Sequence, residues 1–272
     1  MNQSNSRSEA GDSIPSASQS PQEGSARIGN ISRLVGMFLS PGETFAEVKR
    51  RPNYVAPLML LVIAVLIGST FFTWRVKPDL SQIIRNRITQ RDTAANRVTP
   101  PEQVERQVAI GKSIAYFSPV ISIVGAPAAC FALAGIISLG LTLLRAQTAF
   151  RKILSVIAWS AAATRIVATL ALIAVLMVRD QESLSDIDPT QSTGIVLTNL
   201  SVLLSSGTSA PIKSLAASMD IFTIWFLILI TIGIATVVEA REVTMGKIGA
   251  LVFGLWGIWV IVKVSLAVVA GG

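Results

Sequence analysis

The chain has 272 residues, 51% of them hydrophobic and only 14% charged, with a formal net charge of +7. A soluble domain carries about 25% charged residues, so this composition excludes an ordinary globular protein. Histidine is absent and Cys130 is the single cysteine, which removes the usual general base, a Ser-His-Asp triad, an intrachain disulfide and a cysteine metal cluster.

Residues 1–26 are rich in Ser, Gln, Gly and Pro and lack aromatics. Such a stretch cannot bury enough surface to offset its ordering entropy. It is expected to be a disordered cytoplasmic tail, and without an apolar core it is not a signal peptide. Residues 27–52 read as an amphipathic interfacial segment. Ile31, Leu34, Val35, Phe38 and Leu39 recur at helical spacing. Ser40-Pro41-Gly42-Glu43 then carries a capping-box pattern that opens a second short helix, Thr44–Arg51. That helix offers Phe45 and Val48, ends in Lys49-Arg50-Arg51, and is stopped by Pro52. Two such helices before a membrane span either lie on the bilayer surface or pack on the end of a bundle.

Residues 53–272 form the membrane domain. Its apolar runs lie near Pro57–Trp74, Pro119–Leu144, Ile153–Val178, Ile221–Val238 and Ile248–Ala270. Each approaches the ~20 residues that a helix needs to cross a ~30 Å hydrocarbon core. The expected fold is all-α: a polytopic bundle of five transmembrane helices. Between the first two runs, Thr99-Pro100-Pro101-Glu102 predicts a capped helix running toward Tyr116-Phe117. Its Val104, Val108, Gly111 and Ala115 face is expected on the bundle. Ser118-Pro119 is the expected start of the second span, and Pro127 is expected to disturb it. Within the acidic 179–220 loop, 194–204 is apolar but too short to span, which suits an interfacial or re-entrant piece.

Charge sets the expected orientation. The turns at 145–152 and 239–247 are basic, and the 179–220 loop holds Asp180, Glu182, Asp186, Asp188 and Asp220. The positive-inside rule places those turns and the N-terminus in the cytoplasm. The basic 75–118 loop would then lie outside, against the rule. The positive balance suits anionic headgroups beside helix ends rather than nucleic acid.

Few residues stand out as candidates for chemistry. Arg165 falls near the middle of the third run, where a cation costs about 2.5–3.5 kcal/mol on insertion scales. It is expected to face the bundle interior or water. Lys263 and Asp220 are expected at one height on neighbouring helices, where they are able to pair. Gly246, Ala250 and Gly254 form a small-residue face suited to internal packing, or to a homo-oligomer. No phosphate-binding loop, nucleophile elbow, metal cluster or cofactor site is expected.

Phe38-Leu39-Ser40-Pro41-Gly42-Glu43-Thr44-Phe45, then Arg51-Pro52 and Pro57-Leu58, resembles the opening of the Yip1 domain family. Ala158-Trp159-Ser160 and Asp220-Ile221-Phe222-Thr223-Ile224-Trp225 are similar to its later sections, so the likeness covers roughly Arg33 to Ala270. The resemblance implies a cytoplasmic N-terminus and a five-helix membrane domain. Its motif positions would be Ser40, Pro41, Phe45, Pro52, Pro57, Trp159, Asp220 and Trp225. Eukaryotic members serve vesicle traffic and contact Rab GTPases. This chain has Pro52-Asn53-Tyr54-Val55-Ala56-Pro57 where they carry Asp-Leu-Tyr-Gly-Pro, which argues against Rab-type partner binding. Its Thr99–Glu102 helix start and compact loops look more like the bacterial branch, which implies an inner membrane. The expected role is non-enzymatic: to organise the bilayer or scaffold a protein partner. The alternative is a transporter or channel-like permease subunit.

Overall fold

A computed structural model describes residues 29–76, 79–94, 96–146, 148–180, 198–205, 208–239 and 243–271. The expectations for the tail, for Glu182, Asp186 and Asp188, and for the start of the 194–204 segment lie outside these residues. Among the described residues the structure is helical, apart from one bridge between Asn199 and Asp220. Helices α1 (Asn30–Leu39) and α2 (Pro41–Arg50) precede α3 (Val55–Val76), α4 (Leu80–Ala94), α5 (Pro101–Leu143) and α6 (Phe150–Val178). A single 3-10 turn, Leu200–Leu203, leads to α7 (Ala210–Ser218), α8 (Ile221–Val237) and α9 (Met245–Gly271).

Among the described residues, four helical stretches are long and apolar enough to cross a membrane: Val55–Val76, Val120–Leu143, Phe150–Val178 and Met245–Val268. The remaining apolar run forms α8, whose 17 residues span about 25 Å. Helices α3 and α6 run parallel. Thr169 Oγ1 donates to the Ala64 carbonyl at 3.2 Å, and Arg75 Nε donates to the Leu176 carbonyl at 3.2 Å. At the other end of the bundle, Thr148 Oγ1 donates to the Val237 carbonyl at 3.3 Å. The α5–α6 turn, the α8–α9 turn and the start of α3 therefore share one end, as the charge pattern predicts. That end carries exposed Arg50, Arg51, Arg145, Arg151 and Lys247, and is called the basic end below.

Proline placement produced a mixed result. Pro52 does follow the end of α2, and Asn53 Oδ1 accepts from the amides of Val55 and Ala56 at the start of α3. Pro119 does not open a separate span: α5 runs unbroken for 43 residues, through Pro119 and Pro127. Each proline removes one ladder bond, and the apolar turns on either side hold the remaining ladder because no solvent competes for it. Neither capping box forms. Ser40 and Pro100 occupy the N-cap positions without a side-chain cap, and Thr99 instead bonds the Asp92 carboxylate through its amide (2.7 Å) and hydroxyl (2.8 Å). The Val108–Gly111 face of α5 packs on α4 rather than the bundle, since a Cβ at Gly111 would collide with Ile84.

One continuous core joins α1, α2, α3, α5, α6, α8 and α9. It includes Met37, Phe45, Leu61, Ile137, Ile157, Trp159, Ile230 and Ile248. Phe45 and Val48 are fully buried, so α2 is a structural member of the bundle. Its seat is Gly233 on α8, where an added Cβ would collide with Val156 and lie 3.0 Å from the Phe45 ring. Gly233→Val is expected to destabilise the bundle by about 1–3 kcal/mol through overpacking. Steric-trap or thermal unfolding in detergent measures this, and Gly249→Ala, whose Cβ would meet Thr231 at an ordinary 3.6 Å, should change little.

Candidate functional site

Charged side chains from several helices come together at the basic end. Arg33 on α1 reaches Glu47 on α2 at 3.2 Å, with the two side chains 8% and 19% exposed. This pair ties the open end of the α1–α2 hairpin, and Arg33 Nε has no partner of its own. Beside it, Glu239 at the end of α8 lies 3.3 Å from Lys152 Nζ and 3.6 Å from Lys49 Nζ. One carboxylate thus joins α2, α6 and the end of α8. The Lys152 ammonium, through its hydrogen bond and charge, and then the Lys49 charge hold the Glu239 carboxyl below its ordinary range. Around this node stand the exposed cations Arg50, Arg51, Arg145, Arg151 and Lys247. Such a collar suits anionic headgroups or an acidic protein surface.

The candidate residues read from sequence scatter. Arg165 lies on an exposed face of α6, not in the interior, and among the described residues it makes no hydrogen bond or ion pair. The inner face of α6 is filled by Ala158, Trp159, Ala162 and Ala163, all fully buried, which leaves no space for a guanidinium. Lys263 does reach the far end near Asp220, but it donates to Ser218 Oγ at 3.0 Å. Asp220 instead caps α8, accepting from the Thr223 amide at 3.1 Å and hydroxyl at 3.3 Å. A carboxylate at a helix N-terminus is already well compensated, so it leaves the lysine to the serine. The small-residue face also turns outward: Gly246, Ala250 and Gly254 are exposed and do not serve internal packing.

The motif residues hold the hairpin and core. Thr44 Oγ1 donates to the Ser40 carbonyl at 3.1 Å, which closes the turn that Pro41 begins. Phe45, Pro57 and Trp159 are buried, the last with its indole N–H unpartnered. Trp225 stacks at a tilt on Phe38, with ring centroids 4.8 Å apart. Pro52 lies half-buried between α2 and α3. Sequence reasoning missed Arg33, Glu47, Glu239 and Arg75. Arg75 Nη2 donates to the Arg179 carbonyl at 2.9 Å, so that side chain caps the end of α6. A signal existed for Arg33 and Glu47, because a hairpin turning at Ser40 pairs positions whose numbers sum to about 80.

Two outcomes test this network. Glu47→Ala strands a buried guanidinium and is expected to cost about 3 kcal/mol. The joint Arg33→Leu, Glu47→Leu variant should recover most of that loss in the same unfolding assay. The Glu239 node has a lowered carboxyl pKa, so its contribution is full above the ordinary glutamate value. It is lost as pH falls through the lowered value. A melting-temperature profile between pH 7 and 3 should lose that acid-side component in Glu239→Gln.

The Yip1 domain profile matches residues 35–267. No curated protein and no solved structure matches the chain significantly. The matched region begins within α1 and ends within α9, so it takes in the hairpin, the core and the basic end. By that match, over most of its length, the chain belongs to the Yip1 domain family.

Proposed function

We propose that this chain is a non-enzymatic membrane-organising protein that scaffolds an acidic protein partner at its basic end. The carrying observation is the collar: Arg50, Arg51, Arg145, Arg151 and Lys247 stand exposed together around a fixed Lys49–Glu239–Lys152 node. Four separate segments supply these residues, so the cluster exists only in the folded bundle. The positive-inside rule supports a cytoplasmic position for the collar and the N-terminus. The Thr99–Glu102 helix start and the compact loops, similar to the bacterial branch, support a bacterial inner membrane.

In-membrane crosslinking from the collar, followed by mass spectrometry, tests this reading. The wild type should capture one reproducible protein, and Arg50→Glu with Arg151→Glu should reduce that yield at least several-fold. Equal capture by wild type and the charge-reversed variant would remove the scaffold reading.

Arg165 favours a second reading, a permease-like subunit, since an unpaired cation at mid-span marks many transport paths. Solute flux into proteoliposomes that falls in Arg165→Ala would support it, and unchanged flux would end it.

A further inference from the structure

The α1–α2 hairpin has a measurable register against α8. Lys49 Nζ reaches Glu239 at 3.6 Å, Phe45 sits on Gly233, and Phe38 stacks on Trp225 with ring centroids 4.8 Å apart. At 1.5 Å per residue, Gly233 lies about 9 Å and Trp225 about 21 Å below Glu239 along α8. The hairpin turn at Ser40 falls between those heights. One leaflet's share of a ~30 Å core is about 15 Å, whereas a helix lying flat at the interface penetrates only about 5–10 Å. The hairpin's reach along α8 exceeds the penetration of a flat helix.

The outward face of α1 is apolar. Ile31 and Leu39 are each 80% exposed, with Val35 at 49% and Phe38 at 43%. These positions follow a helical stripe that runs from the open end of the hairpin to its tip. The turn is also suited to membrane depth. The Ser40 amide donates to the Gly36 carbonyl at 2.9 Å, and the Thr44 amide and hydroxyl both donate to the Ser40 carbonyl at 3.1 Å. Pro41 has no N–H to leave unpaired. Gly36 lets the two helices touch, since a Cβ there would collide with Thr44 Oγ1. One edge of α2 is different: Glu43 and Arg50 are exposed and Glu47 is half-buried, at i, i+4 and i+7 spacing. A carboxylate facing acyl chains is expensive, so that edge needs water.

We propose that the α1–α2 hairpin is inserted obliquely into the leaflet at the basic end, with Ile31, Val35, Phe38 and Leu39 against acyl chains and the Glu43–Arg50 edge in water. The occupant of the stripe is lipid, because Phe38 stacks on Trp225 of α8, a helix whose Ile221, Ile224 and Ile228 are also exposed. The hairpin's open end also carries Lys49, Arg50 and Arg51 at the height of anionic headgroups. This deepens the membrane-organising reading and rests on it.

The test uses the full chain in a Cys130→Ala background, with a single environment-sensitive reporter on Ile31→Cys, Leu39→Cys or Glu43→Cys. Each variant is reconstituted into phosphatidylcholine vesicles containing one-third phosphatidylglycerol. Quenching is read with lipids brominated near the headgroup or near the chain middle, and with aqueous iodide. The Leu39 reporter should be quenched several-fold more by mid-chain than by headgroup bromines. The Ile31 reporter should show the reverse order, and the Glu43 reporter should respond to iodide. Equal depth for positions 31 and 39 means a flat helix and overturns the proposal. A Leu39 reporter open to iodide, or shielded from all quenchers by protein or a second copy, also overturns it. If collar-dependent crosslinking persists in either case, the hairpin idea fails alone and the scaffold reading stands. Unfolding curves matching the parent establish that each variant is folded.

Discussion

The arrangement of this bundle depends on the missing side chain at Gly233. A membrane span has no hydrophobic force pulling it against its neighbours, because acyl chains are as apolar as leucine. Close approach and shape must hold it instead. At Gly233 the backbone of α8 is bare, and both Val156 of α6 and Phe45 of α2 press into that notch. Three helices meet there, two of them apolar and one a short helix with a charged edge. Because Phe45 is fixed, Lys49 one turn later is carried to Glu239, and Glu239 in turn reaches Lys152. The polar node at the basic end follows from an apolar contact below it.

The same contact accounts for the hairpin. Once α2 lies along α8, α1 must pack on the free side of α2, and Gly36 with Thr44 sets how closely it does so. Arg33 then falls opposite Glu47, which ties the open end. The pair alone is weak evidence of stability, since two desolvated charges roughly offset their attraction. Its effect is on register: any slip of α1 along α2 would leave a buried guanidinium without its carboxylate. An apolar pair would tolerate that slip.

Much of this was legible in the sequence, for physical reasons that can be named. The apolar runs mark spans because the bilayer demands length and apolarity together. The shared end of the 145–152 and 239–247 turns followed from their charge, and Thr148 and Glu239 place them side by side. Pro52 ended its helix as read. What remained hidden concerns direction and depth. The spacing of Ile31, Leu34, Val35, Phe38 and Leu39 identifies an apolar side, but periodicity does not say what covers it. Here Met37 and Arg33 turn inward, and Ile31 and Leu39 turn out. Arg165 was expected to face the bundle interior or water because a charge avoids lipid, and alanines and Trp159 fill the inner face of α6, which leaves the exposed side. Pro119 looked like a boundary, and α5 passes through it because the strongest helix-breaking signal of water-soluble chains is weaker where no water competes for the ladder.

Both ends of the molecule carry charge, but the basic end gathers it around a node that joins three helices. At the far end, α4 and the first part of α5 pair through Ile84 and Gly111 and through Arg85 with Glu105 at 2.6 Å, while Arg91, Arg97, Arg106 and Lys112 stay exposed. At the basic end Glu47 and Glu239 engage Arg33, Lys49 and Lys152, and Arg50, Arg51, Arg145 and Arg151 stand exposed at the same end. An unbalanced cluster held by rigid helices attracts anions at no ordering cost to itself, and screening limits that attraction to about 8–10 Å at physiological salt. It acts on headgroups and on partners already at the surface. At the depth proposed for it, the hairpin would displace chains from the same leaflet whose headgroups the cations attract. Both effects would then fall on one side of the bilayer, an asymmetry suited to the membrane-organising role proposed above.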